Sequence, residues 1–373
     1  MKHCFLLAST ILLLSNALAQ DKNNLAGFGV EANYSIGSGV VHTSKMRAGF
    51  PYTINSGILN FVQQTNGRKD WQQRRHYPLI GWAIMYTDYD RNHVYGHAVC
   101  IFPNLQIPLI GGKKVEWTLT AGFGVGYLSK RYGLYPDFDT LNTAIGSHMN
   151  NCSYFATDIR YHLNKHVDLQ MGMDFAHMSN AAFRQPNLGI NKYGAHIGVR
   201  YFPVTSQPER IHTELPKLKN RIYIEGKFGM AAVEQSTPNG PMYPVYLGSL
   251  LASRRYAGKN KMFIGVDYSF YNNVYRFLLN NEIFPGHEKE HSWKSAVFIG
   301  NEFLIGRVGI MFQLGYYLKK NALSDYIIYE KLGGNVYIVQ REKGVIKEFF
   351  PYVYLKTHST QAELVEAGLG IGF

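Results

Sequence analysis

Val115-Glu-Trp-Thr-Leu-Thr-Ala-Gly-Phe-Gly-Val-Gly-Tyr127 alternates without a break. Val115, Trp117, Leu119, Ala121, Phe123, Val125 and Tyr127 fall on one face; Glu116, Thr118, Thr120, Gly122, Gly124 and Gly126 fall on the other. Successive side chains of an extended strand point to opposite sides, so the stretch reads as a strand with one oily face and one polar or small face. Its length points to where it lies. Strands of soluble domains average about 5–6 residues, whereas a strand tilted across a bilayer needs about 9–11. The pattern therefore predicts a membrane-spanning strand of a closed sheet, the form in which strands cross lipid with their backbone groups paired.

The same alternation recurs along the chain. Val167, Leu169, Met171, Met173 and Phe175 alternate with Asp168, Gln170, Gly172 and Asp174. Val308, Ile310, Phe312, Leu314, Tyr316 and Leu318 form a third oily stripe. Val365, Ala367, Leu369, Ile371 and Phe373 form a last one, which ends in Phe and resembles the terminal strand of bacterial outer-membrane barrels. Eight strands are expected over 27–36, 52–62, 78–88, 95–107, 114–127, 152–163, 166–178 and 191–202. Residues 203–219 carry Pro203, Pro208, Pro216 and several charges, and read as a periplasmic connection. About six to eight further strands follow to Phe373, the weakest near 328–339 and 348–357. An even total places both chain ends in the periplasm.

The expected fold is all-β: an antiparallel transmembrane β-barrel with eight strands in the first half and about six to eight in the second. Either one wide barrel or an eight-stranded barrel beside a second strand set fits the pattern. The expected organisation is a signal peptide over 1–19, a barrel region over 20–203, a linker over 204–219 and a second strand region over 220–373. A soluble β-sandwich or lipocalin-like barrel also alternates, but with shorter strands.

Composition agrees. Of 373 residues, 46% are hydrophobic and only 17% charged, against about 25% charged in ordinary soluble domains. Gly (37) and Tyr (27) are both abundant, which favours strands over helices. Lys2 and His3, the apolar run Phe5 to Leu14 and the small residues Ala17-Leu18-Ala19 read as a secretory signal peptide. The net charge of +12 suits an anionic lipid or lipopolysaccharide surface. Lys and Arg are scattered, without the basic stripe that a nucleic-acid partner would need. Cys100 and Cys152 can pair or stay as two free strand thiols.

The chemistry concentrates in 174–201. Carrying the strand parity forward from Phe175 puts His177 and Ser179 on the lipid-facing side, two residues apart, where side chains are neighbours. Pro186, Asn187 and Gly189 mark a turn. The next strand has Tyr193, Ala195 and Ile197 on its oily face, and parity carried backwards adds Asn191. A hairpin pairing 177 with 191 would cluster His177, Ser179 and Asn191 on the outer wall. An imidazole there can take the proton of Ser179 as its oxygen attacks an ester carbonyl. A third group must hold the imidazole in the correct tautomer. Asn180 and nearby loop N–H groups can stabilise the oxyanion. Asp174 lies on the opposite parity and is not favoured as the orienting group. A site on the outside of a barrel suits a substrate already dissolved in the bilayer.

His177-Met-Ser-Asn-Ala181 followed by Gln185-Pro-Asn-Leu-Gly-Ile190 resembles the signature of the lipid A 3-O-deacylase family, PagL-like outer-membrane barrels also known as acyloxyacyl hydrolases. The resemblance covers about 24–203. It implies an eight-stranded barrel that hydrolyses an ester-linked acyl chain of lipid A. It also implies His177 as base, Ser179 as nucleophile and Asn180 as oxyanion donor. No cofactor is implied, and the expected partners are lipid A and outer-membrane lipids. The departure is at Asn191, where the family carries Glu; an amide carbonyl still accepts an imidazole N–H but brings no charge. A non-catalytic barrel, either a pore or a structural envelope protein, is the alternative.

Other motifs are weaker. The 128–151 loop, expected on the same side as His177, can add hydrogen bonds to the site or be an ordinary capped loop. His287-Glu-Lys-Glu-His291 matches the zinc-protease pattern, which needs a helix to bring both histidines to one face. Here it follows Pro285-Gly286 in a polar stretch, and a charged loop is expected. His358-Ser359 faintly repeats His177-Met178-Ser179, but its parity with Tyr354 and Lys356 points it inward.

Overall fold

The computed structural model of the chain describes residues 25–373 apart from 51–52, 91–92, 135–138, 206–207, 216–220, 235–237, 239 and 360. The expected signal peptide, 1–19, lies outside the described residues.

The strands of the first half are β1 (Phe28–Gly39), β2 (Ile54–Gln64), β3 (Leu79–Asp88), β4 (His97–Ile110), β5 (Val115–Leu128), β6 (Met149–His162), β7 (Val167–Ser179) and β8 (Ile190–Tyr201). A short helix, α1 (Asp70–Arg74), interrupts the connection from β2 to β3. Each strand pairs antiparallel with the next, and β8 returns to β1, so the ring has no free edge.

The second half contains β9 (Ile222–Glu234), β10 (Met242–Tyr256), β11 (Asn260–Tyr271), β12 (Trp293–Ile305), β13 (Val308–Lys319), β14 (Ile328–Val336), β15 (Val339–Gln340), β16 (Glu348–His358) and β17 (Gln361–Gly372). A second helix, α2 (Asn272–Asn280), follows β11. The order is β14-β13-β12-β11-β10-β9-β17-β16, and β14 pairs with β16 to close a second ring of eight. The two-residue β15 is a ribbon on β16. The chain therefore forms two barrels rather than one wide one.

Each wall is oily outside, and each lumen mixes paired charges with a buried apolar cluster, Ile54, Met85 and Phe102 among its members in the first barrel and Phe263, Phe298 and Phe350 in the second. Trp82, Met173, Ile197, Ile264 and Ile299 are among the large apolar side chains exposed on the outer faces. Inside the first barrel, the buried Arg160 pairs with Glu31 and Glu116 at 3.3 and 2.8 Å. Asp174 meets Lys192 and His196 at 3.1 Å each. The space left at this level is about 20 Å³, room for about one water. The second lumen is filled alike: Lys261 pairs with Glu225 and Glu348 at 3.0 and 2.9 Å, and Lys331 with Asp267 at 2.9 Å. Tyr354 and Lys356 line this lumen with His358, whose Nε2 is 3.1 Å from the Tyr317 hydroxyl. Cys100 and Cys152 are buried free thiols. Among the described residues, no helix is long and apolar enough to cross a membrane.

Candidate active site

The β7–β8 hairpin puts His177 directly opposite Asn191. The two side chains meet, with His177 Nδ1 2.6 Å from Asn191 Oδ1. On the other edge of the ring, Nε2 is 2.9 Å from Ser179 Oγ. The oxygen of an amide only accepts, so the imidazole hydrogen sits on Nδ1 and donates to Asn191. Nε2 is then bare and accepts the Ser179 hydroxyl hydrogen. This is the tautomer a serine nucleophile needs.

All three residues share the outward parity. Met171 and Met173, lower on the same stripe, are 59% and 65% exposed. Ser179 is 3% exposed, so the nucleophile is covered at the rim rather than bare on the wall. Part of the cover is the returning hairpin. Gly189 has φ +78, and a Cβ there would sit 3.0 Å from His177 Cε1, so only glycine lets this backbone lie against the ring. Its N–H donates to Ala144 O in the β5–β6 loop at 2.9 Å. Gly146 of that loop backs onto Gln185 and Pro186 so closely that a Cβ would stand 2.8 Å from their backbones.

Asn180 holds the turn that leaves β7. Phe183 N–H donates to Asn180 O at 3.1 Å, across Ala181 and Ala182 at φ +53 and +64. Positive φ at both central positions is a type I′ turn, unusual for two alanines. The Asn180 side chain donates to Ser147 Oγ and Arg184 O, both at 3.0 Å, and its Oδ1 accepts the Arg184 N–H at 3.3 Å. Its own N–H donates to Asn187 Oδ1 at 2.9 Å. Both side-chain hydrogens of Asn180 are therefore occupied. The N–H groups of Ala181 and Ala182 meet no acceptor among the described residues. The Asn180–Ser147 bond ties the 128–151 loop to the site.

His42 lies beside Asn191, and no sequence signal singled it out. Asn191 Nδ2 is 3.3 Å from His42 Nδ1, and His42 Nε2 is 2.9 Å from Leu188 O. Glu234, at the end of β9 in the second barrel, also reaches the site's loop. It receives Arg184 Nη1 at 2.8 Å and the Gln185 N–H at 2.6 Å. A cavity of about 430 Å³ opens in the seam between the barrels, lined by Lys45, Arg47, Thr143, Gln185, Asn187 and Gln361. A larger cavity, about 1370 Å³, lies among Lys114, His162 and Arg200 at the opposite rim and holds none of the site residues. Asp174 points into the lumen, as its parity requires. His287 to His291 lie in successive turns rather than on a helix.

Residues 55–200 match the family model described as lipid A 3-O-deacylase (PagL), and residues 220–373 match the one described as acyloxyacyl hydrolase, C-terminal domain. No curated protein matches. Among solved structures, the chain is similar to the outer membrane enzyme PagL, with 18% identity over 45% of this chain and 97% of that one, TM-score 0.31. It is similar to Neisserial surface protein A at 16% identity, over 48% of this chain and 97% of that one, TM-score 0.32. A Rhodopseudomonas blastica porin mutant covers 93% of this chain and matches over 99% of its own, at 8% identity and TM-score 0.16.

Proposed function

The chain belongs to the PagL lipid A 3-O-deacylase and acyloxyacyl hydrolase family of outer-membrane barrels, and on that premise we propose that it removes an ester-linked acyl chain from lipid A by a Ser–His mechanism. The observation that carries the reading is the hydrogen-bonded line from Ser179 through His177 to Asn191, at the top of a lipid-facing stripe.

The acyl chain lies along the oily wall of β7 and β8, and the ester carbonyl reaches the rim. Ser179 Oγ attacks the carbonyl carbon while His177 Nε2 takes the hydroxyl proton. The alkoxide of the tetrahedral intermediate is met by the unpaired N–H groups of Ala181 and Ala182. The Asn180 side chain holds their turn in place, or exchanges a partner to add a third donor. The intermediate collapses as His177 returns the proton to the departing sugar oxygen. Water, activated by the same imidazole, then frees the fatty acid and restores Ser179. Asn191 accepts the imidazolium N–H throughout. No step calls on a metal or cofactor. Lys45 and Arg47, in the seam cavity beside Asn187 and Leu188, suit the phosphorylated sugar of the substrate. The protein reaches its membrane by export and loss of residues 1–19.

The test is the mass spectrum of lipid A from cells expressing the wild type or Ser179→Ala. The expected result is loss of one acyl chain in the wild type alone. Identical spectra would leave a passive barrel in its place.

A further inference from the structure

A carboxylate offers an imidazole an acceptor at either oxygen, whichever way it is turned. The amide of Asn191 has one acceptor end and one donor end. Turned the wrong way, Nδ2 would face His177 Nδ1 and drive the imidazole hydrogen to Nε2. His177 could then not take a proton from Ser179, and the wrong tautomer costs a serine triad about 10⁴ in turnover. A site that uses Asn at this position needs something to fix the amide's orientation.

His42 is placed to do this. Its Nε2 is 2.9 Å from the Leu188 carbonyl oxygen, which can only accept, so the hydrogen of the neutral ring sits on Nε2. Nδ1 is then bare. The carbonyl oxygen of Val40, 3.3 Å from Nδ1, has no hydrogen to offer. The donor that Nδ1 meets is Asn191 Nδ2, also at 3.3 Å. The hydrogen bonds then run in one direction: Ser179 to His177, His177 to Asn191, Asn191 to His42, and His42 to Leu188. Reversing the Asn191 amide would oppose donors at His177 and acceptors at His42 at once.

We infer that His42 is a positioning residue, which fixes the orientation of the Asn191 amide and through it the basic tautomer of His177. The role rests on the Ser–His reading given above. It is one this chain needs because the group beside the imidazole is an amide, Asn191, and not a carboxylate.

The experiment compares full-length wild type, His42→Ala, His42→Gln, Asn191→Glu and His42→Ala/Asn191→Glu in detergent, measuring kcat and KM for acyl release from purified lipid A. Heat-modifiable gel migration checks that each barrel is folded. His42→Ala is expected to lower kcat by about 10² with KM within about twofold, because base geometry rather than substrate binding is lost. His42→Gln restores most of it, since Oε1 can accept from Asn191 and Nε2 can donate to Leu188. In the Asn191→Glu background, His42→Ala costs less than about threefold, because a carboxylate needs no orienting partner. An equal loss in both backgrounds assigns His42 to loop structure alone and overturns the inference. So does an active wild type that His42→Ala leaves unchanged, and then the Ser–His reading stands. A folded wild type and Asn191→Glu that both cleave nothing remove the Ser–His reading, and His42's role with it.

Discussion

At the scale of single residues, the site differs from a Ser-His-carboxylate arrangement by one atom pair, the Asn191 amide. Its Oδ1 meets His177 Nδ1 at 2.6 Å but adds no charge to offset the imidazolium that the proposed attack would form. Charge-assisted hydrogen bonds are about twice as strong as neutral ones, a gain of about 1–1.5 kcal/mol here. Asn191→Glu is therefore expected to raise kcat about tenfold. Single-turnover acyl release would check this, and an unchanged rate would mean that proton transfer does not limit the reaction. His177, Ser179 and Asn191 were legible in the sequence because alternation fixes which side a residue faces, and two of the three are sequence neighbours. His42 was not, because it becomes adjacent only when β1 pairs with β8 and the Val40 N–H donates to Asn191 O at 2.9 Å. The covering of Ser179 was hidden for the same kind of reason: the hairpin returning over it is held by Ala144 of the distant β5–β6 loop. Ala181 and Ala182 carry no turn signal either, since positive φ is set there by the bonds that Asn180 makes.

At the scale of elements, the oily stripe of β7 is an energetic requirement as well as a marker. Met173 lies mid-strand and is 65% exposed on the outer face. An Arg on the lipid face near the bilayer midplane costs about 2–4 kcal/mol. Met173→Arg should lower folding stability in lipid vesicles by about that amount, while Met173→Leu stays within about 1.5 kcal/mol. Urea titration of folding into vesicles measures both, and an Arg variant as stable as the wild type would place this stripe outside the hydrocarbon. Alternation marked the eight strands of the first half to within a few residues. It missed α1 and α2, since Asp70–Arg74 and Asn272–Asn280 are too short to show a helical period against strand-rich surroundings. It also left the closure open. Period two assigns a side chain to a face but says nothing about which strand lies next door, and the β14–β16 pairing that makes the second ring skips β15.

At the scale of the whole molecule, the barrels meet at both rims, and the two contacts differ in consequence. At the rim away from the site, Arg75 Nη2 donates to Lys259 O at 2.6 Å and to Asn260 Oδ1 at 3.0 Å, joining a turn of one barrel to a turn of the other. At the rim that carries the candidate site, the second barrel touches the loop that follows Asn180. The side chain of Glu234 is fully buried, and its two oxygens take the Arg184 guanidinium and the Gln185 N–H. Arg184 in turn exchanges two hydrogen bonds with Asn180. The turn bearing the Ala181 and Ala182 N–H groups is thus held from outside its own barrel, which in the proposed mechanism would give residues 220–373 a part in the chemistry. Hydrogen bonds to a charged group contribute about 1.5–3 kcal/mol each, so losing both should free this loop locally without unfolding either ring. Glu234→Ala is expected to lower kcat about tenfold or more and to speed trypsin cleavage of the Arg184–Gln185 bond relative to the wild type. Glu234→Gln keeps one acceptor for the Gln185 N–H and should fall between. The two readouts separate the causes. Faster cleavage at Arg184 with unchanged kcat would mean that the oxyanion turn keeps its shape without the second barrel. Unchanged cleavage and unchanged kcat would mean that the contact merely lies beside the loop.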